Sequence, residues 1–499
     1  MKPGVGALVV SLAVGLLAGC DLAPVYDPPH DPLPGAFHRH ASSGGPERNP
    51  PLLPTEGWWT LLGDEQLNEL EERLNRSNPS LLAAAEAYTQ ARDLAAEAES
   101  RLYPQVGFQA LVSDNRESAH HLFTTTPGPK QEASNLIGAA ASWEPDFWHA
   151  IRNSAHAQKR LAQASAADFA AARLSLQAEL ANDYIGVRGL DAEIEVLRQS
   201  IMAYEKAVEV ARLRSEGKIA SGLDLARALS QLNAAQAQRT ETELQRELLQ
   251  HAVAVLVGAM PMTFEIPPTP EFGLKPPQVP AGLPSQLLER RPDIASAERQ
   301  MAAANVSIGV ARAAFYPNVT LSGMAGFEDD AFRLAQLPNS LWSVGAGAIL
   351  PLFEGGLRRA ELQRSRAQYA QTRDLYRSTV LAAFQEVEDD LASLRYLAEE
   401  AQQQQEAVTA AQTSLALELD RYKAGTDSYL SVITTQTIAL SDEQTAVTIL
   451  QRRMTAAVDL VKALGGGWEN ADLPSGDAIR SSALASAANT VHVAQPVNK

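Results

Sequence analysis

Histidines, cysteines, paired carboxylates and glycine-rich loops are the usual carriers of chemistry, and in this chain none of them converges on a reaction. His149 and His156 stand seven apart on a predicted helix, about two turns or roughly 10 Å, too far to share one metal. His120-His121 fall in a predicted loop and His38-Arg39-His40 in a predicted tether, where they read as solvated side chains. Gly465-Gly466-Gly467 follows a predicted helix instead of leading into one, which suits a C-terminal stop and not a phosphate cradle. No catalytic residue, metal or cofactor is expected, and the chain reads as a non-enzyme. Its single cysteine has no disulfide partner within the chain.

That cysteine has a different chemistry available. Met1-Lys2 and the apolar run over residues 5–18 have the charged and hydrophobic regions of an export signal, too short to span a bilayer as a helix. Leu17-Ala18-Gly19-Cys20 resembles a bacterial lipobox, which implies cleavage before Cys20 and acylation of its sulfur and amine. Several acyl chains would then anchor the terminus stably. Asp21 follows directly, and in enteric bacteria an aspartate at this place is associated with retention in the inner membrane. Residues 20–56, rich in Pro, Gly, Ser and His and without periodicity, read as a lipidated tether behind a signal peptide of residues 1–19.

The elements that position everything else come in duplicate. Pro79 and Pro292 are 213 apart, as are Tyr103-Pro104 and Tyr316-Pro317, whereas Pro145 and Pro351 are 206 apart. Two copies of this size exclude a short-repeat solenoid and predict two large hairpins related by pseudosymmetry, over residues 57–270 and 271–468. With 45% hydrophobic residues, mostly Ala and Leu, and only 6% aromatics, long packed helices are expected instead of an aromatic core. A net charge of −17 with no basic cluster argues against nucleic acid as a partner.

Leu190, Ile194, Leu197, Ile201, Tyr204, Val208 and Ala211 step by four and three, a coiled-coil seam within a proline-free stretch from about 150 to 216. A second seam runs from Phe384 through Val387, Leu391, Leu394, Ala398, Ala401, Gln405, Val408, Gln412, Leu415 and Leu419 to Tyr422. The two glutamines mark it as thinner or wetter. Return helices near 223–257 and 428–464 are each about half as long as the outgoing ones, so the helices from Pro79 and Pro292 are expected to stack end to end on them.

Between the helices the period changes to two. Val319, Leu321, Gly323, Ala325 and Phe327 alternate with Asn318, Thr320, Ser322, Met324 and Gly326, and Trp342, Val344, Ala346, Ala348 and Leu350 do the same. Strands are therefore predicted at about 317–327 and 341–351, with weaker ones at about 104–113 and 135–144. Their length suits a tilted crossing of the hydrocarbon layer. Four strands cannot close a barrel and open edges are not tolerated in lipid, so the membrane reading requires several chains to share one barrel.

Leu287-Leu288-Glu289-Arg290-Arg291-Pro292-Asp293-Ile294, Leu352-Phe353-Glu354-Gly355-Gly356, Arg421-Tyr422-Lys423-Ala424-Gly425 and Ala463-Leu464-Gly465-Gly466-Gly467-Trp468 together resemble the signatures of the TolC-like outer-membrane factors, in their lipoprotein branch. The resemblance covers residues 20–468. It implies a mainly α fold with a transmembrane β-barrel part: a homotrimer whose long antiparallel helices form an α-helical tunnel continued by a shared twelve-stranded barrel in outer-membrane lipid. It also implies a passive efflux channel served by a periplasmic adaptor and an inner-membrane pump. Gly217, Lys218, Arg421, Gly425 and Thr426 would form the adaptor-contacting tips, with the two glycines at the reversals. Asp224 and Tyr422 match positions that hold the closed tip, and Thr434 stands where relatives often carry an aspartate lining the closed pore. His149 replaces a usual glycine, so the first strand-to-helix exit is expected to differ. Residues 469–499 form a polar tail beyond the resemblance. Drug or metal efflux and type I protein secretion are not separable from these residues, and a lipid-anchored structural coiled coil is the alternative of a different class.

Overall fold

The computed structural model describes residues 21–29, 37, 54, 57–116, 118, 131–218, 221–270, 272–277, 279, 284–330 and 336–479. Cys20, the export signal, His38, His40, His120, His121 and the chain beyond 479 lie outside the described residues.

After α1 (Glu65–Ser77), each half runs short helix, strand, strand, long helix, return helix. The first half comprises α2 (Pro79–Ser100), β1 (Gln105–Arg116), β2 (Gln131–Trp143), α3 (Ala150–Glu216) and α4 (Gly222–Leu256). A short α5 (Pro284–Arg290) leads into the second: α6 (Pro292–Ala313), β3 (Asn318–Asp329), β4 (Ser340–Ile349), α7 (Leu357–Lys423) and α8 (Tyr429–Ala463). Matched helices are equal in length, at 22, 67 and 35 residues. The long pair, free of proline, each span roughly 100 Å. The offset between halves falls from 213 at β1/β3 to 206 at Pro145/Pro351, so the first hairpin is seven residues longer. It returns to 207 for α3/α7, one extra residue in the second exit.

Short helices do stack on return helices, and the same joint is built twice. Asn78 caps α2 through Leu81 N–H and donates its amide to the Leu256 carbonyl at 2.7 Å, while Ser77 Oγ donates to the Val257 carbonyl. In the second half Arg291 donates to the Ala463 carbonyl at 3.0 Å. Gly258 (φ 66) and Gly465 (φ 92) end the return helices in the left-handed region, and a Cβ there would lie 2.3 Å from the Ser77 carbonyl oxygen or 2.1 Å from that of Arg290. Only glycine fits either joint. Arg291, within the arginine-proline signature, also pairs with Asp293 at 2.6 Å and Glu386 at 2.7 Å.

The four strands form one antiparallel sheet in the order β1-β2-β3-β4. All are close to their expected places, but β1 and β2 extend farther toward their shared loop than the alternation suggested, because Ser113–Ser134 and Asp114–Ala133 continue the ladder with polar residues. Register puts Val106, Phe108 and Val112 on the same face as Ile137, Trp143, Leu321, Phe327, Trp342 and Val344. Most of that face is bare in the chain, with Phe108 74%, Trp342 78% and Val344 81% exposed. The opposite face carries Gln109, Ser134, Ser322, Met324 and Glu328, where Ser134 donates to Glu328 at 2.6 Å.

His149 resolves differently from expectation. Its φ of 55° matches that of Gly355 (59°), its counterpart at an offset of 206, so the two exits share a backbone shape at this residue. A left-handed non-glycine costs about 1–2 kcal/mol. Asp146 offsets it by accepting the first amides of α3, Ile151 N–H at 3.0 Å and Arg152 N–H at 2.7 Å. The second exit differs instead by following Gly355 with a second left-handed residue, Gly356 (φ 94).

The first seam is buried from Leu197 through Ala211. The second is thinner, with Val387, Val408 and Tyr422 buried as expected but Ala398, Gln405 and Gln412 exposed and burial shifted to the neighbouring Leu397 and Ala411. Midway along α3 the helix is buried nearly all round. Gly186 and Gly189 admit Leu249 of α4 and Gln451 of α8, since a Cβ would meet those side chains at 2.9 and 2.6 Å. Here Asp191 accepts from Arg188 at 2.9 Å, from Arg246 and from Thr269 N–H at 3.1 Å, tying α3, α4 and the segment between the repeats together.

An acidic group lies farther along the bundle. Asp390 of α7 is pushed up to about 7, first by burial and then by the charges of Asp459, Glu386 and Asp389, with Lys462 opposing. Asn182 of α3 donates to Asp459 at 3.0 Å from the other side. Because the folded chain holds this proton more tightly, the contribution of Asp390 to stability is full below about pH 4 and lost as pH rises through about 7. Asp390→Asn is expected to flatten that part of the melting-temperature profile and raise stability at pH 8. An unchanged slope between pH 5 and 8 would refute the assignment.

Candidate functional site: the helix tips

Both long helices end at one extremity of the bundle, where each reverses within a few residues. The second reversal is a full Schellman closure: Gly425 N–H donates to the Tyr422 carbonyl and Thr426 N–H to the Arg421 carbonyl, both at 3.0 Å, with Gly425 at φ 78. Thr426 Oγ1 also donates to the Arg421 carbonyl. Asp427 then accepts from Ser428 N–H at 2.7 Å and Ser431 Oγ at 3.0 Å and pairs with Arg421 at 3.0 Å. The Ser428 amide, with Ser431 and Arg421, holds its carboxyl below the usual carboxylate range.

The first reversal departs from expectation. Gly217 has φ −72 and still donates to the Leu213 carbonyl, so it completes the last helical turn, and the left-handed step falls on Lys218 at φ 56. Ile219 and Ala220 lie outside the described residues. Ser221, not Asp224, caps α4, accepting from Leu223 N–H at 3.2 Å. That leaves the Asp224 carboxylate in the first turn available for other contacts.

The two tips are tied by a residue that the sequence reading missed. Arg214, in the last turn of α3, donates to the Tyr422 carbonyl at 2.8 Å and lays its guanidinium 4.6 Å from the centre of the Tyr422 ring. Its signal was a basic residue in a helix's last turn beside the Leu213–Gly217 stop, which alone does not name a partner. Tyr422 is 4% exposed and packs on Tyr429 at 5.2 Å between centroids, within a small core that includes Val208, Ala211, Ala228 and Val432. Its hydroxyl is buried without a hydrogen-bond partner among the described residues. Burial pushes the phenol up, Arg214 opposes this, and the nearby Asp224 carboxylate adds to it. Thr434 is exposed on α8 and returns its hydroxyl to the Leu430 carbonyl of its own helix at 3.0 Å. Lys218, Arg421, Gly425 and Thr426 are all exposed around the reversal.

One end of this molecule thus presents a bare apolar sheet and the other a pair of stapled polar turns, joined by roughly 100 Å of paired helices. Known proteins resemble this chain over most of its length. The chain is 32% identical over 417 residues to the pyoverdine export outer membrane protein OpmQ of Pseudomonas aeruginosa, covering 83% of this chain and 88% of that one. It is 28% identical to the outer membrane protein OprJ of the same organism, over 93% and 96% of the two chains. The solved outer-membrane channel OprN superposes with a TM-score of 0.83 at 25% identity, covering 90% of this chain and 100% of that one. A family model described as outer membrane efflux protein matches residues 70–259 and 283–466, one segment in each half. Two matched segments, a long helical hairpin behind each strand pair, and whole-length likeness to efflux channels establish that this chain belongs to the outer membrane efflux protein family.

Proposed function

We propose that this outer-membrane efflux channel protein works as a homotrimer, with three four-stranded sheets closing one twelve-stranded barrel above a periplasmic helical tunnel. The observation that carries the reading is the sheet itself. Its outer strands β1 and β4 leave unpaired edges, and its apolar face is bare. In lipid such edges must be paired, and β1 of one copy beside β4 of the next does so. The polar inner face with Gln109, Ser322 and Glu328 suits a water-filled lumen. The conduit is passive, supplied by an inner-membrane pump through a periplasmic adaptor that meets the tips at Gly217, Lys218, Arg421, Gly425 and Thr426. Reconstituted protein in planar bilayers is expected to give discrete conductance steps, and their absence under every gating condition would overturn the channel reading.

In this layout residues 1–19 are the signal peptide, 20–56 a segment acylated at Cys20 whose start lies on the helices and is not a free tether, and 57–270 and 271–468 the two repeats. Residues 469–499 are a tail whose first residues pack on α3, with Gln163 donating to the Pro474 carbonyl at 3.0 Å and Ile479 1% exposed. Palmitate labelling is expected to mark the wild type and not Cys20→Ser. Equal label in both would end the lipoprotein assignment.

The gate is assigned to Tyr422, Asp224 and Thr434. A phenol-to-carboxylate hydrogen bond is worth about 1.5–3 kcal/mol where water is scarce. The buried, unpartnered Tyr422 hydroxyl and the neighbouring Asp224 support such a bond in the closed trimer, multiplied by threefold symmetry. A ring of Thr434 does not concentrate cations as a carboxylate ring does. Asp224→Ala and Tyr422→Phe are each expected to raise open probability, with the double variant less than additive, and Thr434→Asp to increase cation selectivity. Open probability unchanged in both single variants would remove the lock.

A further inference from the structure

The chain directly after Cys20 is strapped onto the helices at the barrel end of the bundle. The Asp21 Oδ1 accepts from Ala23 N–H at 2.9 Å and from Asn153 Nδ2 of α3 at 3.0 Å. Leu22 offers its carbonyl to Arg312 at 3.0 Å, Pro24 its carbonyl to Asn305 at 2.8 Å, and Tyr26 donates its hydroxyl to Glu298 at 2.6 Å, all on α6. Ala23 crosses over Gly309, where a Cβ would lie 2.7 Å from the Ala23 Cα and 2.8 Å from Asn153 Nδ2. Six residues are thus held at four points on two helices, one from each repeat.

The helix side is built for this strap. Asn153 and Asn305 are 2% and 3% exposed, and the bonds recorded for their side-chain amides go to Asp21 and Pro24. With the strap docked, both amides are closed off from water and satisfied by it, so strap and helix surface are complementary. Asp21 itself stays at the surface but its carboxylate is engaged twice. Burial acts to raise it, and the Ala23 amide, Asn153 and the imidazoles of His149 and His156 together hold it below the usual carboxylate range.

We propose that Asp21 is the N-terminal clasp of this docked strap, and that docking silences the inner-membrane retention signal which an aspartate after the acylated cysteine would otherwise give. The proposal rests on acylation of Cys20. All the contacts lie within one chain, between α3, α6 and the strap, so docking needs no neighbouring subunit and no closed barrel. A reader of the residue after the lipid then meets a carboxylate fixed in a local turn, its Oδ1 already saturated, and not a free one able to adjust to a receptor or a headgroup.

Density-gradient separation of the two membranes tests this on the full chain. Gly309→Leu lifts Ala23 off α6, and Asn153→Ala, a milder change, frees the carboxylate. Both are expected to shift a several-fold larger share of palmitate-labelled protein to the inner membrane, and adding Asp21→Ser to either is expected to return it to the outer membrane. An unchanged distribution in both single variants overturns the proposal. So does an inner-membrane shift that persists with Asp21→Ser, since that reports failed assembly and not an unmasked signal. Wild type without palmitate label removes the acylation reading, and this inference with it, by a separate readout.

Discussion

Gly425→Val is expected to abolish export while trimer yield and outer-membrane location stay as in the wild type. The residue sits at φ 78, and the nearest atom to a Cβ there is Arg214 Nη2 at 4.0 Å. Space is available, so the defect comes from the backbone. A β-branched residue in the left-handed region is a true outlier, costing at least about 1–2 kcal/mol, and the turn relaxes instead of paying it. Relaxation breaks the Gly425-to-Tyr422 and Thr426-to-Arg421 hydrogen bonds and moves the Arg421–Asp427 pair, the surface we propose meets the adaptor. Gly425→Asn, which tolerates left-handed φ, is the control expected to keep most activity. Dye efflux in a strain lacking other channels reads the outcome, and normal efflux by the valine variant would sink the adaptor role of this tip.

Asp191→Ala is expected to produce the largest loss of stability in the chain. The carboxylate is 4% exposed and neutralises Arg188 and Arg246 together while accepting from Thr269 N–H. Removing it leaves two guanidiniums in the interior without a counter-charge, a change that costs about 3–5 kcal/mol when a buried pair is broken from one side. Asp191→Asn keeps the shape but not the charge and should fall between. Thermal unfolding in detergent, followed with trimer content on native gels, measures both. A melting curve for the alanine variant that overlays the wild type would show that the network is dispensable.

Sequence periodicity carried the architecture well because the forces that set it are local and repetitive. The seam from Leu197 to Ala211, the proline-led short helices and the alternation in β3 each follow from which side of an element must leave water. The second seam was less legible, since Ala and Gln fill much of its middle and Gln405 and Gln412 stay exposed, while Leu397 and Ala411, one residue off the stepping, are buried instead. Arg188, Asp191 and Arg246 escaped notice because a charged residue in a helix reads as solvated until its surroundings are known. The nearby Gly186 and Gly189, poor helix formers kept inside a 67-residue helix, were the available clue to close packing there. Gly217 illustrates the converse: a glycine beside a helix end marks the stop, yet which residue carries the left-handed step depends on one further hydrogen bond, here with Leu213.

The equal lengths of the matched helices restrict how such a chain is able to diverge. One residue inserted into α3 turns everything beyond it by about 100° and advances it about 1.5 Å, so its apolar stripe leaves α4 and its tip no longer ends level with that of α7. Repair needs a matching change in three other helices at once. A residue added between two strands shifts no helix register, and the connection over residues 117–130 is four residues longer than that over 330–339, so such additions have been kept. Descendants of this gene should therefore drift in length between paired strands and at the ends of the chain, while the span between barrel and tip stays a fixed ruler.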